Sequence, residues 1–157
     1  MSLYFMLVAL HVFGLDVGIG TCTVTYVLGA YGMLNPKIMP KAVAVFKILS
    51  LLIWAGLFLL ISSGVALYFT SAATYGDAIH SKLFFMKMVF VTLLTINGLF
   101  LNIIVNPMMD KAVELPNFEK TPEYRKALLF GAIGAGISAT CWYGAFSLGL
   151  YIFRLMV

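Results

Sequence analysis

The sequence predicts an all-α integral membrane protein: an up-down-up-down bundle of four transmembrane helices with both termini on the outside. Of its 157 residues, 62% are hydrophobic and 10% are charged, and the mean hydropathy is +1.03. Soluble domains are about half apolar and about a quarter charged. The chain also contains four long apolar runs, each long enough for the ~20 residues that a membrane span requires. We therefore expect one transmembrane domain covering residues 1–157.

Each span is delimited by residues that break helices. The segment "LNPKIMPK", with Pro36 and Pro40, should end the first span, because proline removes a backbone donor. The small polar segment "TSAATYGD" should form the turn after the second. Pro107 should end the third, before the polar segment "DKAVELPNFEKTPEYR". The predicted spans are residues 3–31, 42–69, 82–106 and 126–156.

The basic residues predict the orientation, because lysine and arginine concentrate in cytoplasmic loops. Seven of them lie in or next to the first and third connections, at Lys37, Lys41, Lys47, Lys111, Lys120, Arg125 and Lys126. The opposite side carries three, at Lys82, Lys87 and Arg154. We therefore expect a multi-pass protein of a bacterial inner membrane with outward termini. Its basic residues are few and sit near helix ends, which does not indicate nucleic-acid binding.

The outer half of the predicted bundle gathers ionisable side chains inside apolar runs, at His11, Asp16, His80 and Lys87. An intramembrane ionisable residue indicates a functional site. Helices one and three run parallel, and His11 lies about 12 Å into the first, a depth similar to that of Lys87. His11 has three possible roles: a haem axial ligand, a proton relay with Asp16, or a structural histidine bonded between helices.

The other members of this group also have alternative roles. Lys87 either extends to the outer surface or binds haem propionates or a substrate carboxylate. Asp16 projects about 140° away from His11 on an ideal helix, which disfavours a direct bond between the two. Pairing of Asp16 with Lys87, which would partly neutralise both charges, is one alternative. His80 is either an interfacial residue or a second metal ligand.

Small and amide side chains line the same helices. Gly14 and Gly18 follow His11 on one face, which permits close approach of either another helix or a flat cofactor. Interhelical hydrogen bonds and kinks are expected at Asn97, Asn102, Asn106, Ser62, Ser63 and Gly64.

Three stretches resemble a known group of small four-helix membrane proteins, the CopD copper-resistance type and the HemJ-type protoporphyrinogen oxidases. They are "ALHVFGLDVGIG", "LLIWAGLFLLISSG" and "FFMKMVFVTLLTINGLFLN". The resemblance implies haem b binding, with His11 as axial ligand and Lys87 as partner for propionates or substrate. The sequence departs from the family in lacking a tryptophan soon after His11 and in having Asn97 where a further histidine is expected.

The leading hypothesis is a haem b-binding membrane protein with a redox role, in electron transfer or as an oxidoreductase acting on a porphyrin or quinol-like substrate. One alternative is a copper binder or transporter, since thioethers suit Cu(I) and Met6, Met86, Met88 and Met156 lie in the outer half. The other is an accessory subunit of a larger respiratory or photosynthetic complex. A redox partner and self-association are also compatible with the sequence.

Overall fold

The computed structural model describes residues 3–79 and 82–156, and every regular element in them is helical. The helices are α1 (Leu3–Leu34), α2 (Met39–Ile79), α3 (Lys82–Phe100), α4 (Asn106–Val113) and α5 (Pro122–Met156). Four helical stretches in this part of the chain are long and apolar enough to cross a membrane: Leu3–Leu34, Pro36–Thr70, Lys82–Val113 and Pro122–Ile152. The predicted four-helix class is therefore confirmed.

Large apolar side chains cover the outside of the bundle. Phe58, Phe69 and Phe85 are each more than 70% exposed, and Leu51 is 70% exposed. Exposed apolar surface of this extent is unfavourable in water, but it is the expected surface of a helix bundle surrounded by lipid. The protein is accordingly a multi-pass membrane protein.

The first two connections differ from the sequence prediction. Only residue 35 is non-helical between α1 and the short 3₁₀ turn Pro36–Ile38, and α2 already begins at Met39. Pro40 is thus tolerated in the first turn of α2, where its missing N–H has no intrahelical partner to lose. The segment "TSAATYGD" is helical rather than a turn, because α2 continues to Ile79.

The third span does not end at Pro107 as predicted. A π-helical segment, Leu101–Val105, joins α3 to α4, and the helix runs on to Val113. Proline clashes with the carbonyl four residues earlier, here that of Ile103, and it cannot donate to it. The wider π turn immediately before Pro107 is consistent with relief of that conflict without ending the helix. The fourth span also begins earlier than expected, at Pro122.

The bundle consists of two closely packed helix pairs. α1 packs mainly on α2, α3 packs mainly on α5, and far fewer contacts join the two pairs. At the closest crossing, a Cβ built on Gly56 of α2 would lie 2.8 Å from the Gly18 nitrogen and 2.9 Å from the Gly14 oxygen. Only glycines permit two helix backbones to approach so closely.

Two apolar clusters hold the bundle together. One, at the predicted cytoplasmic end, contains Met39, Ala42, Val43, Met109, Ala112, Tyr124 and Ala127. The other, near the middle, contains Cys22, Leu57, Leu60, Leu94, Cys141 and Trp142. Trp142 is 1% exposed, and its ring packs against Gly18 of α1. These clusters hold together one end and the middle of the bundle. His11 and Lys87 lie toward the opposite end, which also carries the N-terminus.

Candidate functional site

His11 and Lys87 meet between the two helix pairs. The Lys87 Nζ lies 3.3 Å from the His11 Nε2, and both side chains are partly buried. The residues are 76 positions apart in the chain and lie in the N-terminal parts of α1 and α3. The depth comparison predicted that they share one level of the bundle, and the structure brings them into direct contact. Lys87 therefore does not extend to the outer surface.

Ser63 of α2 binds the second ring nitrogen of the His11 imidazole. Its Oγ lies 3.0 Å from the His11 Nδ1, and its hydroxyl donates to the Leu59 carbonyl at 2.5 Å. An ammonium group has only hydrogens to offer, so the His11 Nε2 accepts from Lys87. The imidazole then carries its hydrogen on Nδ1 and donates it to Ser63. These bonds form one chain, from Lys87 through His11 and Ser63 to a backbone carbonyl.

Two glycines make room for these side chains. A Cβ on Gly64 would lie 3.2 Å from the His11 Cε1, and a Cβ on Gly149 of α5 would lie 3.4 Å from the Lys87 Nζ. Both distances are at or below the shorter end of ordinary van der Waals contact. All four spans therefore contribute to this site, which we call the His11–Lys87 site and define as His11, Ser63, Gly64, Lys87 and Gly149.

Gly14 and Gly18 are in contact with other parts of the protein. A Cβ on Gly14 would lie 2.9 Å from the Leu60 nitrogen and 3.0 Å from the Gly56 oxygen. A Cβ on Gly18 would overlap the Trp142 ring. Of the two alternatives that the sequence allowed, helix packing is the one that this geometry provides for these glycines. The expected flat cofactor has no room against them in this arrangement.

Asp16 is not part of the site, contrary to the sequence prediction. Among the described residues, the one ion pair joins Lys47 to Asp110, at 3.0 Å, so Asp16 does not pair with Lys87. Asp16 is exposed, on the opposite side of α1 from the buried Gly14 and Gly18. A relay from His11 to Asp16 is therefore not formed. His80, the other predicted ligand, lies outside the described residues.

A second polar contact joins α3 to α5 nearer the centre. The Asn97 Nδ2 donates to the Gly134 carbonyl and to the Ser138 Oγ, both at 2.8 Å. Asn97 and Ser138 are buried. Asn102 is exposed and lies 3.4 Å from both the Ser50 hydroxyl and the Asn106 amide. The predicted interhelical roles are thus clearest for Asn97 and Ser63, whereas Ser62 bonds only carbonyls of its own helix.

Three of the four methionines that prompted the copper hypothesis are exposed, and the Met156 side chain lies outside the described part of the structure. Met6, Met86 and Met88 are 52%, 48% and 45% exposed, on the outside of the bundle. Within the described residues, no group of three or more histidine, cysteine, aspartate or glutamate side chains is arranged to hold a metal ion. Copper binding remains a prediction without a geometric argument in its favour.

Comparison of the chain with protein-family models, with curated proteins and with solved structures finds no match. The resemblance to the CopD and HemJ types consequently rests on the three short stretches quoted above. The function must be argued from the site.

Sequence reasoning did not connect Ser63 to His11, and it did not find Gly149. The depth comparison was applied to the two parallel helices and not to α2, whose outer part carries Ser63. Extending it to α2 would have placed Ser63 near His11. Gly149 gave no such signal, because one glycine in an apolar helix has the same appearance whether it faces a lysine or lipid.

Proposed function

We propose that the protein binds haem b at the His11–Lys87 site and serves in electron transfer or in oxidation of a membrane-soluble substrate. The observation that carries this proposal is the direct contact between His11 and Lys87 inside the membrane. This contact places a possible iron ligand, the His11 imidazole, next to a cation, the Lys87 ammonium group. A histidine can serve as the axial ligand of haem iron, and a lysine can bind a haem propionate by a charge-assisted hydrogen bond.

The hydrogen-bonding state of His11 suits an axial ligand. The Nδ1 is held by Ser63, which leaves Nε2 as the nitrogen with the lone pair. A ligating histidine commonly has its other nitrogen fixed in this way by a neighbouring acceptor. In the structure Nε2 accepts from Lys87, so ligation would replace that hydrogen bond.

The charge of Lys87 also suits an anionic ligand. No acidic side chain pairs with it in the described part of the chain, and its nearest polar neighbour is a neutral imidazole. A cation within the membrane interior is costly unless it is paired or reaches the surface. A propionate would supply the missing negative charge, and Lys87 would hold it by a charge-assisted hydrogen bond.

The His11–Lys87 site lies between the two helix pairs, where a ligand could enter from the membrane. The α1–α2 and α3–α5 pairs contact each other far less than the helices within each pair do. A ligand entering there would displace the His11–Lys87 bond without separating the glycine crossing of α1 and α2. When bound, haem b would supply an iron that gains and loses one electron in an apolar environment.

Titration of the detergent-purified protein with haemin tests this proposal. We expect a shifted Soret band with the wild-type chain and none with His11→Ala. Lys87→Met should weaken binding about tenfold, as expected for loss of a charged hydrogen bond. Lys82→Met is the matched control, because Lys82 is exposed at the start of the same helix.

A haem whose propionates are esterified separates iron ligation by His11 from propionate binding by Lys87. It should bind wild type and Lys87→Met equally, because neither complex would contain a carboxylate for Lys87. Equal haemin affinity of wild type, His11→Ala and Lys87→Met would overturn the proposal.

A proton relay is the second candidate, and the continuous order of donors from Lys87 through His11 to Ser63 favours it. Proton uptake by vesicles containing the haem-free protein would measure it. The relay predicts uptake that Lys87→Met and Ser63→Ala both reduce. Uptake equal to that of protein-free vesicles would exclude it.

A further inference from the structure

Asp16 places a carboxyl group on the lipid-facing side of α1, near the middle of that helix. α1 runs from Leu3 to Leu34, so Asp16 is within one turn of its midpoint. Its side chain is exposed, and its neighbours on the surface, Val12 and Phe13, are 48% and 57% exposed. An ionisable group facing hydrocarbon at that depth is strongly unfavourable, and such groups normally face protein or water.

Within residues 3–79 and 82–156, no cation pairs with Asp16. The basic residue closest in depth is Lys87, and its ammonium group binds His11. The described ion pair, Lys47 with Asp110, lies toward the opposite end of the bundle. Lys82 and Arg154 lie at the outer ends of their helices. No described residue supplies a cation to Asp16, and a partner from outside this chain would supply it.

The surface next to Asp16 permits close approach of another helix. Gly20 follows Asp16 by one turn, and a Cβ built on it would meet nothing within 4 Å. Val27, two turns further along, is 65% exposed. Small residues at the contact allow helix backbones in a membrane to come together. We call this surface, defined by Asp16, Gly20 and Val27, the Asp16 face.

We propose that the Asp16 face binds a transmembrane helix of a different protein, one that carries a lysine or arginine near its midpoint. Charge complementarity decides between this partner and a second copy. A two-fold contact between copies would set the Asp16 face against itself, which brings together like charges. The cation of such a helix would pair with the Asp16 carboxylate, so that neither charge would face lipid alone.

Energy transfer between labelled molecules in phosphatidylcholine vesicles tests this directly. The donor is the full-length protein, and the acceptor is a synthetic leucine–alanine transmembrane helix with one central lysine. We expect association that is about tenfold stronger than with the same peptide carrying leucine at that position, as for a strong polar contact between membrane helices. Asp16→Leu should remove the difference, whereas Glu114→Leu, an exposed acid in the connection before α5, should preserve it.

Two results would overturn the proposal. One is equal association of the lysine and leucine peptides with the wild-type chain. The other is self-association through the same face, detected as a disulfide-linked dimer of Gly20→Cys that Asp16→Leu prevents. Asp16→Leu adds an apolar group to a lipid-facing position, so it should fold and insert normally.

Discussion

The Nζ of Lys87 and the Nε2 of His11 lie 3.3 Å apart and join the α1–α2 pair to the α3–α5 pair. This contact differs from the two apolar clusters, and unlike the buried Asn97–Ser138 contact it involves ionisable side chains. It connects helices that otherwise touch little, and none of the acidic side chains that the structure describes pairs with its positive charge. The functional proposal follows from these two properties.

The serine next to the imidazole should control which nitrogen carries the hydrogen. Ser63→Ala removes the acceptor of the Nδ1 hydrogen, so the single tautomer inferred here should give way to a mixture. The ¹⁵N chemical shifts of the His11 ring measure this change. Ser62→Ala is the matched control, because Ser62 is exposed and bonds only the Phe58 and Leu59 carbonyls. Unchanged shifts in Ser63→Ala would show that Ser63 does not set the tautomer.

The closest crossing of α1 and α2 should not accept a methyl group. Gly56→Ala would place its Cβ 2.8 Å from backbone of α1, and backbone cannot move aside as a flexible side chain can. We expect a loss of about 1–3 kcal/mol in the free energy of unfolding, typical of overpacking. Equilibrium unfolding in mixed micelles measures it. Gly136→Ala provides the control, because a Cβ there meets nothing within 4 Å, and a similar loss in both variants would contradict the account.

The amide of Asn97 should couple α3 to α5. Asn97→Ala leaves the Gly134 carbonyl and the Ser138 hydroxyl without this donor. Interhelical hydrogen bonds in membrane proteins contribute about 0.6 kcal/mol on average and up to about 1.7. A double-mutant cycle of Asn97→Ala with Ser138→Ala should give a coupling energy in that range. A coupling energy of zero would mean that the two side chains stabilise the bundle independently.

The ion pair at the opposite end should contribute little. Lys47 and Asp110 are 3.0 Å apart, but their side chains are 62% and 32% exposed. Exposed pairs are worth about 0–1 kcal/mol, and salt screens them. A double-mutant cycle at low and at high salt measures the coupling energy, which should be small and should decrease with salt. A salt-independent coupling energy of several kcal/mol would contradict this description.

Composition and apolar run length were sufficient to predict the fold class, because a membrane span requires a long apolar helix. The prolines were less informative than expected. Pro40 lies in the first turn of α2, and Pro107 follows a π turn, so neither ends its helix. Whether a proline ends a helix depends on the backbone on either side of it, and periodicity does not reveal that.

Depth along parallel helices predicted that His11 and Lys87 lie at a similar level, since rise per residue fixes the level of each side chain; their direct contact was not predicted. The direction of Asp16 away from His11 also followed from helix geometry. Pairing of Asp16 with Lys87, one alternative that the sequence left open, is not formed, because depth alone does not say which way each helix is rotated. The same limitation applies to Gly14 and Gly18, whose stripe was recognised but whose packing partner, Gly56, was not.

The haem content of the protein purified from haem-replete cells tests the central claim most directly. The absorption spectrum and the iron content per chain are measured on wild type, on His11→Ala and on the Lys82→Met control. The account predicts a Soret band and bound iron in wild type and in Lys82→Met, both lost in His11→Ala. A colourless, iron-free wild-type protein that also fails to bind added haemin would contradict it.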